Sequence, residues 1–109
     1  MLTDDEPLTD IAFTASIMHW RGPSPFYFAV VPDEHVGEVR YAARQASYGW
    51  GVVPVEAVIN GIPFRTSLFP KDGGYLLPLK VDVRKRADID INAPVDVEMR
   101  IAAKDSRGK

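Results

Sequence analysis

The sequence predicts a mainly β fold that curves into a small barrel with two short helices. Apolar and polar residues alternate with a period of two through most of the chain, as they do in half-buried strands. Two tight-turn signals, Asn60-Gly61 and Pro70-Lys71-Asp72-Gly73-Gly74, join three such runs into a meander. Pro54, Pro63 and Pro78 cannot donate to a strand ladder, which favours a sharply curved barrel over a broad flat sheet.

Length and composition predict one ordinary globular domain. The chain has 109 residues, of which 46% are apolar and 26% charged, and these values suggest neither a disordered chain nor a coiled coil. We expect the barrel over about residues 10–103, with flexible tails at 1–9 and 104–109. No apolar run approaches the roughly 20 residues of a membrane helix, and the acidic N-terminus is unlike a signal peptide, so the predicted location is cytoplasmic. The absence of cysteine excludes disulfides and thiolate metal sites.

The first third of the chain predicts two strands and a helix. Residues 10–20 and 26–31 have strand periodicity and are separated by the turn sequence RGPSP. Asp33 is suited to cap a helix, which we expect to run to about Gln45. Apolar residues recur behind Asp33 at helical spacing, namely Val36, Val39, Ala43 and Ala46.

Asn60-Gly61 lies between two apolar runs and predicts a two-residue hairpin with a type I′ turn. Counting outward from the turn pairs Ile59 with Ile62, Ala57 with Phe64, Val55 with Thr66 and Val53 with Leu68 on one apolar face. The other face pairs Val58 with Pro63, Glu56 with Arg65, and Pro54 with Ser67. Arg65 is therefore expected to form a cross-strand ion pair with Glu56.

The remainder of the chain completes the meander and adds one more strand. In the second turn we expect proline to preset φ and a glycine to take the left-handed position, followed by a third strand over 75–79. A short helix is predicted over about 81–87. The final strand alternates, with Val95, Val97, Met99 and Ile101 inward and Asp96, Glu98 and Arg100 outward.

Several irregular segments together carry a family resemblance. These are GPSPFYFAVVPDEH, YGWGVVPVEAVINGIPFRTSLFPKDGGYLLPLKVDVRKR and VDVEMRI. The chain resembles, over about residues 10–103, the family catalogued as domain of unknown function nineteen-oh-five. The resemblance implies a small split β-barrel capped by short helices, related in architecture to the swapped-hairpin barrels of transition-state regulators and addiction-module antitoxins. It implies no activity. Ala93-Pro94 stands where family members commonly have a Gly-Asp turn, so this turn is expected to be built differently.

A basic middle segment offers one candidate ligand site. Residues 61–86 contain six bases and two acids, whereas residues 1–38 contain seven acids and one base. By the hairpin register Arg65 and Ser67 point outward and Thr66 inward, so a site for a small anion has to add bases from elsewhere. The candidate set is Arg65, Ser67, Lys80, Arg84 and Lys85. The alternative is that these residues form only a solvated sheet face.

Other chemistry has weaker support. His19 and His35 are the only histidines and lack metal-ligand spacing, so neither a metal site nor a cofactor is predicted. No nucleophile elbow or spaced pair of carboxylates indicates catalysis. Phe26 and Phe28 share one strand face and are expected in the core. Trp50, between two glycines, either covers one end of the barrel or contacts a partner.

Three function classes follow. The first is a non-enzymatic binding or interaction module, with an unidentified small anion or a protein as partner. The second is a nucleic-acid-binding dimer, by analogy of fold with antitoxin barrels. A sequence pI of 5.6 argues against specific nucleic-acid binding. The third is an enzyme acting on a small anionic substrate. The sequence is compatible with a monomer or a homodimer.

Overall fold

The protein folds as one curled antiparallel sheet with two helices. The structure, a computed structural model, describes residues 7–22, 26–46 and 53–102. Its elements in chain order are β1 (Pro7–Ala15), β2 (Ile17–Trp20), β3 (Phe26–Val30), α1 (Asp33–Ala46), β4 (Val53–Ile59), β5 (Ile62–Lys71), β6 (Gly74–Pro78), α2 (Val81–Arg86) and β7 (Val95–Ala102). The predicted mainly β, split-barrel architecture with two short helices is confirmed. Residues 7–9, predicted as part of a tail, belong to β1. The predictions for Trp50 and for the two ends of the chain lie outside the described residues.

The strand order explains the curvature. The seven strands run β1-β7-β4-β5-β6-β3-β2, and every pairing is antiparallel. Residues 62–68 of β5 pair with β4, whereas residues 69–71 pair with β6. The long strand β5 is therefore shared by two half-sheets: β1, β7 and β4 on one side, and β6, β3 and β2 on the other.

The first predicted strand is interrupted at Ser16. We expected one strand over 10–20, but β1 pairs with β7 and β2 pairs with β3, at opposite ends of the strand order. The amide of Val30 donates to the carbonyl oxygen of Ser16 at 3.0 Å, which anchors the change of direction. β1 and β2 are the two edge strands of the sheet and follow each other in the chain. The sheet therefore has to curl so that its two edges come close to each other at Ser16.

The hairpin at Asn60-Gly61 has the predicted register at all seven pairs, from Ile59 opposite Ile62 to Val53 opposite Leu68. Asn60 has φ of 51° and Gly61 has φ of 80°, the two positive angles that a type I′ turn requires. The Asn60 side chain also donates to the carbonyl oxygen of Ala87 at 2.7 Å. The turn is thereby tied to the C-terminal end of α2.

The second hairpin is tighter than predicted. Pro70 lies inside β5 opposite Tyr75, and Lys71 lies opposite Gly74. The loop contains only Asp72 and Gly73, with φ of 52° and 81°. A second two-residue turn forms because Asp tolerates the left-handed region and because this turn matches the twist of the strands.

The core lies inside the curl and is covered by α1. Ile59, Leu68, Leu77, Met99 and Ile101 are among the largest fully buried side chains. The predicted inward residues of β7 are buried and its outward residues are exposed. On α1, Val36, Val39 and Ala43 are buried as expected, and the helix contacts β1, β4, β6 and β7. Asp33 is the first helical residue rather than the residue before the helix.

Helix α2 ends one residue before the predicted limit, and Val83 is its buried residue. After it, the turn at the unusual Ala93-Pro94 position is organised by Asp90. The Asp90 carboxylate accepts a hydrogen bond from the Asn92 amide at 2.9 Å, and its carbonyl oxygen accepts from the Ala93 amide at 3.2 Å. Asp90 therefore closes the turn that leads through Ala93-Pro94 into β7.

Candidate functional site

The outer surface of the half-sheet formed by β1, β7, β4 and β5 has alternating charges. The strand register places Asp10 opposite Arg100, Arg100 opposite Glu56, and Glu56 opposite Arg65. Arg65 Nε donates to Glu56 Oε2 at 3.0 Å, and Arg65 Nη2 lies 2.9 Å from the same oxygen as an ion pair. Arg100 Nη2 lies 3.8 Å from Asp10 Oδ2. We call this row of four residues the charge row; it has the opposite-charge neighbours that a solvated sheet surface favours.

The structure separates the predicted anion-site residues into different environments. Arg65 belongs to the charge row, and Ser67 follows on the same strand, opposite Pro54 and half-buried. Lys80 immediately precedes α2 and Lys85 lies on that helix, and both are exposed. Within the described residues Arg65 is held by Glu56, whereas Arg84 of α2 is held by Leu79 and Tyr27. An anion site made by these five residues stays a prediction.

Arg84 has a packing role that the sequence did not indicate. Its Nε donates to the carbonyl oxygen of Leu79 at 3.0 Å, and its guanidinium carbon lies 4.5 Å from the centre of the Tyr27 ring. The His19 ring stacks on Tyr27 with centroids 4.6 Å apart and an interplanar angle of 10°. These contacts attach α2 to β2 and β3, and cation–π geometry of this kind contributes about 0.5–1 kcal/mol at exposed positions.

The two histidines lie in different parts of the fold and have different contacts. His19 is the exposed stacking partner of Tyr27, whereas His35 in α1 lies 3.2 Å from Glu38 and 3.6 Å from Glu34. The His35 ring also lies 5.8 Å from the Phe13 ring. Across residues 7–22, 26–46 and 53–102, no group of three or more histidine or acidic side chains is arranged to hold a metal ion.

The other half-sheet has an apolar outer surface. Three rows of directly opposed residues cross it, Trp20 and Phe26, then Met18, Phe28 and Pro78, then Val30, Leu76 and Phe69. We call these eight residues the aromatic face. Every one of them is apolar, in contrast to the charge row on the half-sheet that shares β5. An antiparallel sheet in a free domain ordinarily alternates between an apolar inner face and a polar outer one, so this surface is the exception.

The aromatic rings of this face are accessible to solvent. Trp20 is 48% exposed, Phe26 is 54% exposed and Phe69 is 45% exposed. The Phe28 ring centroid lies 6.4 Å from that of Phe26 and 6.3 Å from that of Phe69, in tilted and edge-to-face geometries. Lys71 places its Nζ 5.6 Å from the centre of the Trp20 ring, at the rim. Together these side chains line a shallow depression of about 330 Å³.

The prediction that Phe26 and Phe28 belong to the core is therefore wrong for Phe26, and Phe28 is only half-buried. Tyr27 and Ala29, the alternate residues of β3, point inward instead, and Ala29 is fully buried. Alternation shows which residues share a face but not which face is inside. The continuous run FYFAVV was the available signal, because a strand that is apolar on both faces is typically covered on both.

The comparison with family models agrees with the sequence resemblance. The model described as domain of unknown function DUF1905 matches residues 13–99, which is most of the chain. The chain belongs to the DUF1905 family. The matched range contains the whole aromatic face and, of the charge row, Glu56 and Arg65, and the family description assigns no activity to either surface. No curated protein matches the chain.

Within the described parts of the chain, neither α1 nor α2 has the length and continuous apolar character needed to cross a bilayer.

Proposed function

We propose that this DUF1905 domain is a non-enzymatic binding module and that the aromatic face is its binding surface. The observation that carries the proposal is the contrast between the two outer half-sheets. One has a row of paired charges, whereas the other exposes about half of each of three large rings. Exposed apolar clusters of this kind on soluble domains mark interaction sites more often than chance, because leaving them in water is unfavourable.

The chemistry of the surface favours binding over catalysis. The aromatic face is made of apolar side chains, and Lys71 at its rim contacts the Trp20 ring. Catalysis on a small anion needs a general base or a nucleophile close to the anion contacts. Arg65 and Arg84, the two predicted anion contacts with defined partners, are held by Glu56 and by Tyr27 with Leu79. Among the residues that the structure describes, the enzyme alternative has no comparable grouping to support it.

Binding of an apolar fluorescent probe tests this proposal. We expect anilinonaphthalene sulfonate to bind the native full-length protein at low protein concentration and to fluoresce. Phe26→Ser and Phe69→Ser should each reduce the probe signal, because each removes an exposed ring from the face. Tyr41→Ser is the matched control, since Tyr41 is 66% exposed on α1, outside the aromatic face.

Circular dichroism should show that all three variants retain the native fold. The proposal is contradicted if the native protein does not bind the probe, or if Tyr41→Ser reduces the signal as much as the two phenylalanine substitutions do.

A further inference from the structure

We propose that the aromatic face binds the same face of a second copy of this chain, giving a two-fold symmetric dimer in which the two half-sheets pack face to face. This inference rests on the proposed function and names the partner. Two sheets that pack in this way lie about 10 Å apart and interdigitate their side chains. A face of apolar residues is complementary to its own copy, as a two-fold interface requires. The indole N–H of Trp20 is the side-chain donor of this face and has to keep a hydrogen-bond partner at the rim.

Charge favours a second copy over a polyanion. The chain has a formal net charge of −2, so two copies repel each other only weakly, whereas a nucleic acid or an anionic membrane faces a net negative protein. Lys71 is already placed over the Trp20 ring. Arg40, which lies beside Met18, Val30 and Leu76, already donates to the carbonyl oxygen of Gly73 at 2.7 Å. Stacking of nucleobases on the same rings would need several free cations around them for the phosphates.

The rim of the face is itself self-complementary. Lys71 Nζ lies 3.8 Å from Asp72 Oδ2, so opposite charges are adjacent at the turn between β5 and β6. A two-fold rotation that brings these turns near each other places Lys71 of one copy beside Asp72 of the second. Opposite charges at a rim set the orientation of partners and contribute less to affinity.

The exposed area predicts a weak dimer. Trp20, Phe26 and Phe69 expose about half of each side chain, or about 300 Å² in all if each ring system has about 200 Å² of surface. A stable interface of standard size buries about 800 Å² per partner. The half-buried residues of the face, Met18, Phe28, Val30 and Pro78, have to supply part of the difference. We therefore expect a dissociation constant on the order of tens of micromolar.

Sedimentation velocity of the full-length protein from about 1 μM to about 300 μM tests the inference. We expect a reversible change from monomer to dimer across this range. Phe26→Glu should raise the dissociation constant by about 30-fold or more, because it places a charge among the rings of the partner. Tyr41→Glu, which introduces the same charge at an exposed aromatic residue outside the face, should leave the dissociation constant unchanged.

A second measurement does not depend on the folding of a charged variant. Photoreactive p-benzoylphenylalanine is introduced at Phe69 or, as the control, at Tyr41, which conserves aromatic character at each exposed position. Irradiation of the purified protein should give a covalent adduct of twice the chain mass from position 69 and not from position 41.

A protein that stays monomeric to the highest concentration, or a dimer that is weakened equally by both glutamate substitutions, overturns the inference. Absence of the position-69 adduct also overturns it. Failure of the inference is distinguishable from failure of the proposed function. A monomer that binds anilinonaphthalene sulfonate through Phe26 and Phe69 retains a binding surface for a different partner, whereas a monomer that does not bind the probe contradicts both.

Discussion

Removing the two partners of the Glu56–Arg65 ion pair, singly and together, measures whether Arg65 is a structural residue or an anion contact. Arg65 Nε and Nη2 lie 3.0 Å and 2.9 Å from the same carboxylate oxygen, but the side chains of Arg65 and Glu56 are 84% and 47% exposed. Solvent screening at this exposure limits the coupling energy to about 0.2–1 kcal/mol. Glu56→Ala should destabilise more than Arg65→Ala, because Glu56 also lies opposite Arg100.

The assay is a double-mutant cycle on the free energy of unfolding in urea, repeated at high salt, where the coupling should fall. Asp10 and Arg100 provide the matched control on the same surface. Their 3.8 Å separation predicts a smaller coupling energy than that of Glu56 with Arg65. In parallel, sodium phosphate is titrated into the native protein while backbone amide chemical shifts are recorded.

The structural interpretation of Arg65 predicts a measurable coupling and no localised phosphate shifts at Ser67, Lys80, Arg84 or Lys85. The opposite result refutes it. If Arg65→Ala leaves the free energy of unfolding unchanged and abolishes phosphate shifts that cluster at these residues, the five predicted residues form an anion site.

Three further predictions concern the core, the turns and nucleic acid. Leu77→Ala should lower the free energy of unfolding by about 2–5 kcal/mol, because Leu77 is fully buried. Phe64→Ala should lower it by less, because Phe64 is only half-buried. Equal losses in urea denaturation would contradict this difference in burial. Gly61→Ala should destabilise the protein by about 1 kcal/mol because the φ of Gly61 is 80°. Gly37→Ala in α1 should stabilise it by about 0.5–1 kcal/mol, because the added methyl group meets open space. In thermal unfolding the midpoint should therefore fall for Gly61→Ala and rise for Gly37→Ala. Fluorescence anisotropy with duplex DNA at physiological salt should show no submicromolar affinity, and a tight, steeply salt-dependent complex would favour the antitoxin-like alternative.

The sequence predicted strand pairing and side-chain orientation correctly where a tight turn or a one-sided alternation of apolar and polar residues was present. Asn60-Gly61 accepts only a narrow set of backbone angles, so the pairing of β4 with β5 follows by counting, including Glu56 opposite Arg65. The same argument identified the inward residues of β7, since one side of that strand is apolar and the other is charged. In both places a shift of one residue would turn apolar side chains to water.

The prediction that Phe26 and Phe28 lie in the core failed because the local pattern is symmetric. Both faces of β3 are apolar, so alternation could not decide whether Phe28 or Ala29 points inward. The decision depends on β6, which places Leu77 opposite Ala29 on the inner face and Pro78 opposite Phe28 on the outer one. These contacts join strands distant in sequence, and a strand examined alone has no information about them.

The β character of the chain, the register of its first hairpin and the pairing of Arg65 with Glu56 follow from the order of the amino acids, because these features depend on neighbours joined by a short turn. The break of the strand at Ser16 and the packing of Arg84 on Tyr27 follow from the folded arrangement of all the strands. That arrangement also decides that Trp20, Phe26 and Phe69, from three different strands, form one exposed surface. The physical reason is that a curled sheet has two outer half-faces, and which side chains reach each of them depends on how all seven strands pair.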